Sequence, residues 1–283
     1  PLTVLLPYAI PRTPYHEAQT LGARLMQQML DLIARKRASG ATDDALSLLI
    51  HARDEQGGLS DDELLAETLT LFVAGHETTA KTLTWTCFLL ERHPEVLHAL
   101  LDELDGVLGG RSVCADDLPK LPLLERVVKE SMRVLSPVPT VFLRVPSSPI
   151  ALGHYMLPKG ANVVISPLVT HHDARLYPSP RRFDPERWTT IKPTPFEYLP
   201  FGAGPRMCVG AAFAMQAVRL ILATVLPRVR FQIQRDADIS RLTRTNIFMP
   251  KHGIPARIER GHRRKLAVEP IRGDISQLVE LRG

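Results

Sequence analysis

The sequence predicts a mainly α protein with a small β region, on three observations. An unbroken helical pattern runs from Ser60 to His93, about 33 residues and roughly 50 Å at the helical rise. Helical periodicity of apolar residues recurs in segments on both sides of it. The β-rich runs Val141-Phe142-Leu143, Ile150-Ala151-Leu152 and Val163-Val164-Ile165 are only three residues each and are set apart by turn residues.

Residues 14–39 form the first expected helix, with Leu21, Leu25, Met29, Leu32 and Ile33 at helical spacing and Gly40 as its stop. A shorter helix over 43–53 ends before Gly57-Gly58. Ser60 and Glu63 then make a capping box, and Asp61 and Asp62 suit the positive end of the long helix. Its faces are mostly apolar, which places it in a core, while Glu67 and Glu77 interrupt the apolar run. Pro94 ends that helix and opens another to about Leu108. Leu121–Leu135 is a further helix, stopped by Pro137 and Pro139. Residues 173–207 are dense in proline and glycine and show little periodicity. A last helix spans about Gly210 to Leu226, stopped by Pro227, and short strands follow near 229–234 and 245–258.

The chain has 283 residues, 45% hydrophobic and 23% charged, with a net charge of +5. This is ordinary globular composition, read as a single domain over 1–283 with residues 259–283 as a poorly ordered tail carrying Arg263, Arg264 and Lys265. Lysine and arginine do not cluster with aromatics, so nucleic acid is not an expected partner. No run of 18 apolar residues marks a membrane span. Cys87, Cys114 and Cys208 are far apart and form no CxxC, which excludes a disulfide framework and fits a reducing, cytoplasmic compartment.

The segment Phe201-Gly202-Ala203-Gly204-Pro205-Arg206-Met207-Cys208-Val209-Gly210 carries the chemistry. Two glycines permit a tight turn with positive φ. Cys208 stands just before a helix, whose N-terminus favours an anion, and Arg206 adds positive charge. Gly210 lets a flat group approach the backbone. A thiolate held this way serves as a nucleophile or a metal ligand. Upstream, Ala74-Gly75-His76-Glu77-Thr78-Thr79 places a glycine and two threonines inside the long helix, all poor helix formers. A small-residue packing notch is the plain reading of that glycine. A zinc motif of the HExxH type is excluded, since Ala80 follows Thr79. Glu130 and Arg133 lie at i and i+3 on one helix face, by themselves an ordinary surface pair.

Taken together these segments resemble the cytochrome P450 family. The cysteine segment matches its FxxGxRxCxG haem-binding loop at every fixed position. Glu130-Ser131-Met132-Arg133 matches ExxR, Pro185-Glu186-Arg187 matches PER, and 74–79 is similar to the oxygen-activation segment. The resemblance covers roughly 14–258 and implies a P450-like fold that is N-terminally truncated, because the helices that precede the long helix in the complete fold are mostly missing. It implies haem b as cofactor, with Cys208 the iron ligand, Arg206 and Arg144 on the propionates, Phe201 packed beneath the ring, and Gly202 and Gly210 shaping the loop. Ala74 and Gly75 are the small residues over the haem face. Glu77 and Thr78 are the acid–alcohol pair that delivers protons for O–O cleavage. Glu130, Arg133 and Arg187 form a buried network that pins the meander. Pro137–Phe142 and Asn246–Phe248 match pocket-lining segments.

The activity so implied is a haem-thiolate monooxygenase. It inserts one atom of O2 into an apolar or weakly polar organic substrate. The chain shows no flavin or iron–sulfur signature, so electrons come from a ferredoxin, flavodoxin or reductase. Arg126, Lys129, Arg206 and Arg219 are the expected basic docking face. Two alternatives stand beside it: a peroxide-driven or isomerase haem-thiolate enzyme, and a non-catalytic helical fragment that binds no haem. His171-His172-Asp173 reads as loop capping rather than a metal site.

Overall fold

Thr13 caps helix α1 (Pro14–Ser39), its side-chain oxygen accepting from the His16 amide at 3.2 Å, and Gly40 closes the helix in the left-handed region at φ 64°. The computed structural model describes residues 10–40, 43–54, 57–261 and 268–281. The chain divides into two compact units, residues 1–76 and 77–283, and the division falls inside one continuous helix.

In the first unit, α1 is followed by α2 (Ala45–His51), capped by Asp44 accepting from the Ser47 amide at 2.9 Å. Lys36 reaches Asp44 at 2.5 Å, and this ammonium holds the Asp44 carboxyl down at about 2. A two-residue pairing, β1 (Arg53–Asp54) with β2 (Gly57–Gly58), precedes the long helix α3 (Asp61–Arg92). The expected capping box is present: the Glu63 amide donates to Ser60 Oγ at 3.3 Å and the Ser60 amide donates to Glu63 Oε2 at 2.9 Å. Of the apolar stripe on α1, Ile33 alone is buried.

The second unit is built around the C-terminal half of α3. Trp85, Phe88, Leu89 and Leu90 are buried there, because α4 (Pro94–Leu108), α5 (Pro122–Val134) and α8 (Ala211–Val225) bring their apolar faces to the same core. Leu100, Leu104, Leu124, Val128, Val218 and Leu222 supply much of it. Two short helices, α6 (Pro167–His171) and α7 (Arg187–Thr190), punctuate the proline-rich stretch.

Small two-stranded sheets complete the unit. They are β3 (Ile150–Leu152) with β4 (Tyr155–Leu157), β5 (Val229–Ile233) with β9 (Ala256–Arg260), and β7 (Arg241–Arg244) with β8 (Ile247–Pro250), all antiparallel. The turn between β7 and β8 places Thr245 and Asn246 both at positive φ, 50° and 65°, as a two-residue hairpin with right-handed strands requires. Residues 141–143 and 163–165, expected as strands, form only the bridge Arg144–Val163 and a Val141-to-Ile165 backbone bond at 2.9 Å. With so few ladder bonds, they remain extended loop.

The C-terminal residues differ from expectation. Instead of a solvated tail, β10 (Ile271–Arg272) pairs in parallel with β6 (Ala237–Asp238), and Ile275 and Val279 are buried in the same core. Ile271, Ile275, Leu278 and Val279 give this segment apolar surface to bury. Arg263, Arg264 and Lys265 lie outside the described residues.

Candidate active site

The cysteine loop folds back on itself through its backbone. Gly202 and Gly204 take φ of 70° and 72°, which only glycine adopts without strain. Gly204–Arg206 makes one 3-10 turn, with the Met207 amide donating to Gly204 O at 3.0 Å. The Cys208 amide then donates to Phe201 O at 2.8 Å, closing the loop. Gly210 caps α8 two residues later. Cys208 is therefore exposed and set just ahead of the positive end of a fifteen-residue helix. A Cβ on Gly210 would lie 3.9 Å from Cys208 Sγ, and one on Gly202 would lie 4.0 Å from Val141 Cγ1, so Val141 abuts the loop.

Exposed apolar residues lie on the cysteine loop, on the first turn of α8 and on the 141–143 segment. Val209 is 92% exposed, Phe213 75% and Phe142 78%, and Met207 and Leu143 are more than half exposed. Large apolar side chains this exposed on the loop and the segments next to it mark a binding surface. Phe201 packs partly against the core beneath the loop. Arg206 is exposed, and Arg144 curls back to Phe142 O at 2.8 Å. A soft sulfur donor, exposed apolar residues and two cationic side chains on neighbouring segments fit a flat, apolar, doubly acidic macrocycle such as haem.

In the first unit, Ala74 and Gly75 lie on an exposed stretch of α3, and nothing among the described residues stands within 4 Å of a Cβ built on Gly75. The packing-notch reading of this glycine thus finds no packing partner. At the start of the second unit Glu77 and Thr78 are half-buried, and Thr82 Oγ1 donates to Thr78 O at 2.9 Å.

Glu130, Arg133 and Arg187 come together as the family resemblance implies. Arg133 Nε and Nη2 each reach a Glu130 oxygen at 2.9 Å, and Arg187 Nε donates to Glu130 Oε1 at 3.1 Å. Trp188 Nε1 adds a bond to Glu130 Oε2 at 3.0 Å, and the Asp184 amide one to Oε1 at 3.0 Å; sequence reading did not find these two donors. Arg133 also donates to the carbonyls of His171, Pro180 and Arg182, so one guanidinium gathers three points of the meander.

His171, His172 and Asp173 are engaged in bonds within the second unit. His171 Nε2 accepts from the Leu199 amide at 2.8 Å, and Asp173 Oδ1 accepts from the Arg175 amide at 2.9 Å. Phe248, placed by resemblance among pocket-lining residues, is a core side chain instead. It is 2% exposed and stacks on Trp85 with centroids 5.3 Å apart, while its carbonyl accepts from Trp85 Nε1 at 3.1 Å. The expected basic face is largely neutralised within the chain. Arg126 pairs with Glu186 at 2.8 Å, while Lys129 at 2.5 Å and Arg219 at 3.4 Å both meet Glu125. No helix among the described residues is long and apolar enough to cross a membrane.

Comparison with known proteins gives the family and the fold. The family model for cytochrome P450 matches residues 6–256. Pentalenene oxygenase of Streptomyces avermitilis is 35% identical over 256 residues, covering 88% of this chain and 57% of the relative. Cyclooctatin synthase of Streptomyces melanosporofaciens is 41% identical over 217 residues, 74% of this chain and 47% of the relative. Among solved structures, retinoic-acid-bound cyanobacterial CYP120A1 superposes with a TM-score of 0.80 at 30% identity, over 90% of this chain and 60% of that one. The chain thus spans about half the length of the curated relatives it matches. The loop that returns the Cys208 amide to Phe201 and the buried Glu130 network therefore belong to a cytochrome P450, and this chain is a member of that family.

Proposed function

We propose that this chain is the cysteine-loop part of a haem-thiolate monooxygenase acting on an apolar or weakly polar organic substrate. The observation that supports it most is the exposed Cys208 sulfur, held by a closed backbone loop ahead of α8, with exposed apolar residues on the loop and the segments next to it.

On this reading Cys208 binds the iron of haem b, Phe201 lies beneath the macrocycle, and Gly202 and Gly210 keep the backbone low enough for a flat group to approach. Arg206 and Arg144 pair with its carboxylates by charge-assisted bonds. Ala74 and Gly75 leave a stretch of helix free of bulk for a flat ligand. Bound at Cys208, haem would supply activation of O2 and transfer of one oxygen atom to the substrate, the other leaving as water with two electrons and two protons. Glu77 and Thr78 supply the proton path. The Glu77 carboxyl would take protons from water and the Thr78 hydroxyl would pass them on. A ferredoxin, flavodoxin or reductase delivers the electrons. Of the four cations expected at its docking face, Arg126, Lys129 and Arg219 are paired within the chain and Arg206 is taken by a haem carboxylate, so docking rests on shape and apolar contact more than on charge. A reducing, cytoplasmic setting suits the three unpaired cysteines.

Reconstitution of the purified chain with haemin tests the reading. One equivalent of haem should bind, and the reduced, carbon-monoxide-treated sample should show the red-shifted Soret band of thiolate ligation. Absence of that band, with free haemin recovered, rejects it.

A second reading, a helical fragment that holds no haem, draws on one observation: Leu71, Phe72 and Val73 of α3 are all exposed. Haem stoichiometry in the same experiment separates the two.

A further inference from the structure

The family match stops at residue 256, yet residues 268–281 are tied into the second unit at both ends. At the near end, Arg92 Nη1 donates to Glu269 O at 2.6 Å, and the Asp236 amide donates to Pro270 O at 2.7 Å. In the middle, the Ile239 amide donates to Arg272 O at 2.8 Å, and Arg241 pairs with Asp274 at 3.0 Å. Gly273 allows this approach. It sits at φ 106°, and a Cβ there would come within 2.5 Å of the Ile239 carbonyl carbon.

The far end meets the meander. The Glu280 amide donates to Arg181 O at 2.9 Å, and His172 Nε2 lies 2.9 Å from Leu278 O. His172 adjoins His171, whose Nε2 accepts from the Leu199 amide at 2.8 Å. Leu199 O in turn accepts from Gly202, and Phe201 O accepts from Cys208. A continuous run of hydrogen bonds and adjoining peptide links thus joins the C-terminal strap to the cysteine loop. His172 is its junction: the ring lies between Leu278 O, 2.9 Å from Nε2, and Leu168 O, 2.9 Å from Nδ1, and a neutral ring donates its one N–H to one of the two; the strap is tied by the tautomer with the proton on Nε2.

We propose that the strap 268–281 positions the cysteine loop, with His172 as the positioning residue that transmits its docking through His171 and Leu199. The strap holds 171–199 in register, and that register fixes where Leu199 O and Phe201 O receive the loop amides. The linkage concerns the folded chain alone and holds whether or not haem is bound.

Hydrogen exchange on the chain without haem tests this. Three variants are compared with the parent: Gly273→Ala, which forces a Cβ into the Ile239 backbone, His172→Leu, and His172→Gln, which keeps an N–H donor. Gly273→Ala and His172→Leu should speed exchange of the Leu199, Gly202 and Cys208 amides at least tenfold. Amides within α5 and α8, such as Val128 and Leu222, should stay protected, and His172→Gln should stay near the parent. Release of the Glu280 amide with Leu199 and Cys208 unchanged would overturn the proposal. If a variant loses protection throughout α5 and α8, the parent decides by exchange at rising urea. Glu280, Leu199 and Cys208 opening together below global unfolding supports the linkage, and loop amides opening only with the whole unit rejects it.

Discussion

Glu130 and Arg133 form a two-point ion pair at 2.9 Å with neither side chain exposed to solvent. The carboxylate also meets Arg187, so two guanidinium groups share one carboxylate, and meander carbonyls take up the remaining N–H groups. Such a group of charges is stable only as a set. Removing one member leaves a buried charge without its counterpart, at about 3–5 kcal/mol.

Glu130→Gln should therefore destabilise the chain by about 3–5 kcal/mol in urea unfolding. Arg133→Lys should cost nearly as much. Lysine keeps the charge but lacks the planar fork that reaches both Glu130 oxygens and three carbonyls. A loss below about 1 kcal/mol for Glu130→Gln would show that water or rearrangement replaces the missing charge.

Cys208→Ser should separate ligation from folding. The thiol is exposed and its loop closes through the backbone amide, so unfolding should change by no more than about 0.5 kcal/mol. Haem uptake by the variant should lose the thiolate-type Soret band in the reduced, carbon-monoxide-treated sample. An unaltered band would assign the iron to another ligand.

Acid should weaken the second unit through His171. Burial, followed by the neighbouring Arg133 guanidinium, holds this ring at about 3, against an ordinary value near 6.5. Its Nε2 lone pair is committed to the Leu199 amide. Below pH 6.5 the unfolded chain gains a proton here that the folded chain refuses. The stability is thus complete above about pH 6.5 and is lost as pH falls toward 3, with a limiting slope of about 1.4 kcal/mol per pH unit. His172, shifted the same way by burial, adds to that slope. Urea midpoints at pH 7 and pH 5 should converge in His171→Gln relative to the parent. Equal slopes in both chains would place the acid sensitivity elsewhere.

Much of this was legible because local chemistry and tertiary structure agree. Ser60 and Glu63 announce the start of α3, Gly40 ends α1 in the left-handed region, and Pro94 opens α4 at its first turn. The cysteine loop was legible for the same reason, since its glycines are needed at positive φ. The pairing of Arg126 with Glu186, 60 residues away, was not, so a cation expected to face a partner is instead spent within the chain. The C-terminal strap was hidden for a different reason. Its ties run largely through the carbonyls of Glu269, Pro270, Arg272 and Leu278, which any sequence carries. Phe248 was misplaced because motif position says nothing of side-chain direction, and its partner Trp85 lies 163 residues away.

Thr78→Ala tests the proposed proton path. Thr82 bonds to the backbone carbonyl of residue 78, which the substitution keeps, so α3 should remain intact. Haem uptake should match the parent, since Thr78 is no ligand. In a system completed with whatever further segment, reductant and substrate sustain turnover, product formed per O2 consumed should fall tenfold or more. The scale follows from general acid–base contributions of about 10²–10⁴. Thr78→Ser retains the hydroxyl and should recover most of the loss, while Glu77→Gln should slow turnover and enlarge the solvent isotope effect. Were Thr78→Ala and Thr78→Ser equally impaired, the loss would trace to the shape of the residue, and Glu77 with water would have to carry the proton unaided.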